Sequence, residues 1–151
     1  MTQTTTDYNA CDVSLWMDND AGTLSEITGS SNSISANWTQ STGSVSTFQG
    51  GGWVRAKGGC MKEGTITIVV LGTTAATEGF SLMHDWFFNH SGDLRTVTWY
   101  EPDKNIGSHK FSGEAIIQDM TSERPSSASD PVTTSITLKT TGAWTWVTNA
   151  T

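Results

Sequence analysis

The chain is poor in proline, cysteine and positive charge, and each shortage excludes something. Three prolines in 151 residues leave few imposed breaks in the backbone. The two cysteines, Cys11 and Cys60, are too few for a zinc site or a disulfide framework of their own. Free thiols are the expectation for them, and a bridge between neighbouring copies in an extracellular assembly is the alternative. Eight Lys and Arg stand against fifteen Asp and Glu, a net charge of −7, and the cations are scattered. Tight phosphate binding needs clustered cations, so gripping of nucleic acid is excluded. No apolar run approaches the roughly 18 residues of a membrane helix, so membrane insertion is not expected. The opening MTQTTTDYNACDVSLW lacks the basic and apolar regions of a secretory signal. Without one, the sequons at Asn37, Asn89 and Asn149 imply no glycan.

What is abundant is Thr, Ser, Gly and, for this length, Trp, with seven indoles. That composition favours strands and turns. Residues 1–151 are expected to form a single domain, large enough to bury about 70% of the unfolded chain's surface. Polar residues 1–10 read as a flexible arm. Val13, Leu15 and Met17 alternate with polar neighbours as in a strand. Asp18-Asn19-Asp20-Ala21-Gly22 reads as a turn, followed by a short extended piece at Leu24 to Ile27. Ile34, Ala36 and Trp38 mark one face of a second strand. Thr65–Leu71 (TITIVVL) is the strongest strand signal, with a second half expected to be buried on both faces. Residues 77–91 form the one helix candidate, with Thr77 as N-cap and Gly92 beyond its end. Its apolar residues cover more of the circumference than one sheet can bury. Strands follow at Leu94–Glu101, Lys110–Gln118 and Val132–Thr140, and a last one carries Trp144 and Trp146 on one face. The expected fold is mainly β: a two-sheet antiparallel β-sandwich, or a partly closed barrel, with one flanking helix.

Residues 39–62, between strands two and three, do not fit a short turn. This stretch has six glycines, no proline, the isolated aromatics Phe48 and Trp53, and the cations Arg55 and Lys57. Unstructured loops beyond about 12–15 residues are uncommon in compact domains unless they function. The expectation is a long assembly loop that orders against another copy of the chain.

No residue set carries chemistry. His84, His90 and His109 are dispersed and lack ligand spacing, so no metal or other cofactor is expected. DNDAG lacks the continuation of a calcium loop. Ser14 and Ser25 have no nucleophile-elbow context, and Glu101 and Asp103 read as solvated turn carboxylates. Gly50-Gly51-Gly52 is not followed by the Lys of a phosphate loop. An enzyme is not expected.

Several blocks in order suggest a family. Residues 12–35, DVSLWMDNDAGTLSEITGSSNSIS, resemble the opening of phage major tail proteins, the tail tube proteins. The long loop, TITIVVL and the single helix follow in the same order. WYEPDKNIGSHKFSGEAIIQD is similar to the family's strand–turn–strand block, and TSITLKTTGAWTW to its closing strands. The resemblance spans nearly the whole chain. It extends in fold to type VI secretion tube proteins. It implies a structural subunit whose homohexameric rings stack into a hollow conduit for genome delivery. It implies a place in the virion tail and assembly in the host cytoplasm. Implied partners are other copies, a tape-measure protein, a tail terminator and baseplate or tip proteins, with a sheath as a further candidate. DNA would pass only as transient, non-specific cargo, past a lumen expected to be acidic. Carried onto this chain, the subunit contacts would fall on Phe48, Trp53, Arg55 and Lys57, with Tyr8 in the arm and Trp144 and Trp146 at the C-terminus. The competing possibility is a monomeric, Trp-rich carbohydrate- or ligand-binding β-sandwich, with Trp144 and Trp146 as its platform.

Overall fold

The computed structural model of the chain describes residues 13–45, 55–105, 107–127 and 129–150. The elements run β1 (Ser14–Asp18), β2 (Leu24–Glu26), a 3-10 turn (Thr28–Ser30), β3 (Ser31–Val45) and β4 (Arg55–Leu71). They continue with α1 (Gly79–Asn89), β5 (Arg95–Glu101), β6 (His109–Glu123) and β7 (Thr133–Thr148). The strands form one antiparallel seven-stranded sheet in the order β2-β1-β5-β6-β7-β4-β3. The helical crossover carries the chain from β4 across β7 and β6 to β5, which lies beside β1.

This corrects the expected sandwich. One hydrogen-bonded sheet contains every strand, and among the described residues no ladder joins β2 to β3 to close it into a barrel. Apolar alternation is the same for one bent sheet as for two stacked ones, so the pattern could not separate them. The separately expected strands at 132–140 and around Trp144 are a single β7. Its register on β6 shifts between Ser112 and Glu114, where Gly142 takes φ +66°. A second shift between Ile117 and Asp119 keeps Ile117 and Met120 on the same face. Bulges of this kind bend long strands without breaking them.

One face of the sheet builds the core. Ile66, Ile68 and Val70 of β4 oppose Leu138, Ile136 and Thr134 of β7, all buried. Leu15 and Met17 of β1 oppose Trp99 and Val97 of β5 on the same cluster. Leu82, Met83 and Trp86 of α1 complete it. Full burial of each such aliphatic side chain contributes about 1.5–3 kcal/mol. The second half of β4 is not buried on both faces as expected: Val69 and Leu71 are half-buried.

The helix starts at Gly79, with Glu78 rather than Thr77 at the N-cap and no side-chain cap from either. A remote hydroxyl takes the role instead. Ser30, in the 3-10 turn, accepts the Gly79 amide at 2.9 Å in a buried setting. The expected turn at Asp18–Gly22 is present: the Asn19 side-chain carbonyl accepts the amides of Ala21 and Thr23, and Gly22 has φ +72°.

Candidate functional site

The segment expected to be a loop is largely strand. Residues 40–45 and 55–62 pair as the outer half of the β3–β4 hairpin, from Gln40 opposite Lys62 to Val45 opposite Arg55. Thr, Ser and Val supply enough β-forming residues, and Gly58 and Gly59 are accommodated because Gln40 and Ser41 press against them from the partner strand.

Where this hairpin leaves the sheet, a fork opens. β4 pairs with β7 from Leu71–Thr133 to Thr65–Lys139 and then parts from it. β4 continues with β3, and β7 continues with β6 to Thr148 opposite His109. The Thr140 hydroxyl closes the apex: it accepts the Gly64 amide at 2.7 Å and donates to the Gly64 carbonyl at 3.1 Å. A side chain thus replaces the next rung of the ladder.

Aromatic rings line the opening, a groove of about 630 Å³ bordered by Trp38, Lys62, Phe111, Thr140, Trp144 and Trp146. Trp144 lies 5.3 Å from Trp38 and 5.8 Å from Trp99, centroid to centroid. Trp99 stacks on Phe111 at 5.0 Å and 11°. The Trp144 indole N–H donates to the Glu114 carbonyl at 2.9 Å. Two glycines permit this packing: a Cβ on Gly64 would meet the Trp38 ring at 2.4 Å, and one on Gly113 the Trp144 ring at 2.5 Å. Trp144 is therefore held in place, while Trp38 and Trp146 are 44% and 62% exposed. With one ring held against its neighbours, Trp144 and Trp146 do not present two free faces to a sugar.

A second apolar surface lies on α1. Phe80, His84 and Phe88, four residues apart, form a ridge with ring separations of 4.2 and 6.3 Å. His84 sits inside this ridge, its ring between those of Phe80 and Phe88. Phe88 is 70% exposed, which matches the surplus apolar circumference seen in the sequence. Arg95 is buried and lies 5.3 Å over the Trp86 ring, with Asp85 3.6 Å from its Nη2.

The face of the sheet opposite the core is lined with hydroxyls. Across β3, β4 and β7 its rows are Asn37–Thr65–Lys139, Ser35–Thr67–Thr137 and Ser33–Val69–Ser135. Lys139 donates to Glu63 at 2.9 Å, and that bond holds the Glu63 carboxyl below its usual range. Cation and anion cancel, so this part of the face is nearly neutral.

Of the residues singled out in the sequence, the structure brings Trp144 and Trp146 to the fork, with Lys57 exposed farther out on β4 opposite Gly43. Arg55 pairs with Val45 at the end of the described hairpin. Cys60 is exposed on β4 with a free thiol. Tyr8, Cys11, Phe48 and Trp53 lie outside the described residues, as do residues 1–10. Trp38, Thr140, Gly64 and Gly113 were missed. Only the Trp38 alternation was visible in advance, because the others matter through cross-strand contacts. Among the described residues no cluster of three or more His, Cys, Asp or Glu is placed to hold a metal.

The whole architecture matches solved tubes. A gene transfer agent tail, solved in the empty particle with C6 symmetry, is similar at TM-score 0.74 and 17% identity, over 93% of this chain and 99% of that one. The chain has the tail tube fold. The SPP1 tail tube has it too, at TM-score 0.73 and 15% identity over 96% of this chain and 81% of that one. A chain of the anti-feeding prophage baseplate, six-fold symmetrised, is similar at TM-score 0.71 and 8% identity, over 99% of both chains. No protein-family profile and no curated protein matches the sequence.

Proposed function

We propose that this chain is the structural subunit of a tail tube, in which homohexameric rings stack into a hollow conduit for genome delivery. The observation that carries this is the likeness over nearly the full length of both chains to a tail solved with six-fold symmetry. The surface supports it. A subunit with an exposed Phe88 at the end of the Phe80–His84–Phe88 ridge, and with a Trp-lined fork, has apolar surface left for neighbours. The opposite, hydroxyl-rich face suits a water-filled lumen. Assigned there, it makes the lining nearly neutral across β3, β4 and β7 rather than acidic, because Glu63 is paired with Lys139. Such a wall offers DNA no cluster of cations to stick to, so the cargo passes without specific binding.

The tube belongs to a virion tail assembled in the host cytoplasm. Its other partners are the tape-measure protein inside, terminator and baseplate or tip proteins at its ends, and a sheath where the tail contracts. Size-exclusion chromatography and negative-stain imaging of the purified protein test this. Six-fold rings or hollow filaments are expected. A compact monomer at all concentrations would overturn it.

A further inference from the structure

We propose that the fork between β4 and β7 is a socket for residues 46–54 of a second copy, with that copy's Phe48 and Trp53 seated against Trp38, Trp144 and Trp146. This rests on the tube assignment above and names the contact that would join its subunits.

The socket is built but unfilled by its own chain's described residues. Trp144 is fixed by its bond to the Glu114 carbonyl and by contact with Trp99, so the wall is rigid. Trp38 and Trp146 flank it, and both are exposed. The backbone is also receptive. Among the described residues, β4 below Gly64 has a ladder only to β3, and β7 after Thr140 has one only to β6. The two edges that face each other across the fork carry no ladder, and an extended chain entering between them finds donors and acceptors on either side.

Three features choose the occupant. The first is chemistry: STFQGGGWV holds two large aromatic rings and no charge. The groove it would enter is lined by rings and by Lys62 and Glu63, one charge of each sign, with Glu63 already bound to Lys139. The N-terminal residues 1–12 instead bring Asp7 and Asp12 and the single ring of Tyr8. The second is direction. From the fork at Gln40 and Lys62 the hairpin stays paired to Val45 and Arg55, about 16 Å farther at the rise of an extended strand. That span separates Val45 and Arg55, the paired residues at the end of the described hairpin, from their own fork. The third is backbone bulk. Gly50, Gly51 and Gly52 stand between the two rings, and without Cβ atoms the chain can approach an aromatic wall closely.

Cross-linking between differently marked copies tests this. In a Cys11→Ser, Cys60→Ser background, one variant carries Gly51→Cys and a second, tagged variant carries Ala143→Cys at the groove. Each chain then has one thiol, so any link joins two copies. The variants are mixed, allowed to assemble and treated with a short bismaleimide. The mixed dimer is expected as the main product. It should be lost when Thr74→Cys, exposed beyond the far end of β4, replaces Ala143→Cys. It should also be lost when Phe48→Ser and Trp53→Ser are added, with the melting curve of the subunit unchanged. Rings or tubes that form without the Gly51–Ala143 link, or that link equally to Thr74, overturn the socket and leave the tube assignment standing. A protein that stays monomeric overturns both.

Discussion

The Thr140 hydroxyl bonds both the amide and the carbonyl of Gly64, and the sheet divides at that point. Replacing Thr140 with Val keeps the shape and removes both bonds. It leaves a part-buried amide without its partner, at a cost of about 1–3 kcal/mol. For a chain of this length each kcal/mol lowers Tm by roughly 2–4 °C. Thr140→Ser should retain most of the stability. A thermal melt of the three proteins checks this, and equal Tm for Val and wild type would show that the apex bonds do not hold the fork.

Gly113 exists for Trp144. An added methyl would stand 2.5 Å from the indole, which is already tied to the Glu114 carbonyl and packed on Trp99. Gly113→Ala should therefore displace the ring and cost about 1–3 kcal/mol as overpacking. Near-ultraviolet circular dichroism should lose intensity from the Trp38–Trp144–Trp99 group. An unchanged spectrum with unchanged stability would mean that β6 shifts instead of the ring.

The first turn of α1 depends on a residue 49 positions away. Ser30 accepts the Gly79 amide, and no side chain of α1's own N-cap does so. Ser30→Ala is expected to destabilise by about 0.5–2 kcal/mol, the range for losing a helix cap. Because Thr77 makes no cap, Thr77→Ala should change Tm little. Chemical denaturation followed at a helical wavelength separates the two.

Asp85 sets an acid limit. The Asn89 amide, then the charges of His90 and Arg95, hold its carboxyl below its ordinary value of 3.8. A carboxyl lowered by folding adds stability at pH above the unfolded value, and that contribution fades as pH falls through the folded one. The loss should begin below about pH 4 and be shallower in Asp85→Asn. The Asn variant should also be less stable at neutral pH, since buried Arg95 loses its ion pair at 3.6 Å. Urea unfolding at a series of acid pH values measures both effects; parallel curves for the two proteins would remove Asp85 from the account.

The strand positions and the helix were legible because their periodicity is local. Leu15 and Met17, Ile66 and Ile68, and Leu82 and Trp86 sit inward as their spacing in the sequence requires. The surplus apolar face of α1 was equally legible, since it follows from composition around a cylinder. The outer hairpin was not. Glycines at 43, 58 and 59 weaken the local signal, and only pairing between β3 and β4 makes those residues strand.

By itself the sequence determined an all-antiparallel, mostly β chain with one helix, an acidic balance without a cationic patch, and a ring-bearing segment between strands two and three. Tertiary structure decided that the strands make one sheet rather than two. It decided that β7 runs through Gly142 as a single strand, and that β4 and β7 part at Gly64 to leave a groove of indoles. Those outcomes rest on register and on close contact between residues up to 76 positions apart, such as Gly64 and Thr140. Alternation along one strand is blind to both, because it fixes which way a side chain points but not which strand lies beside it.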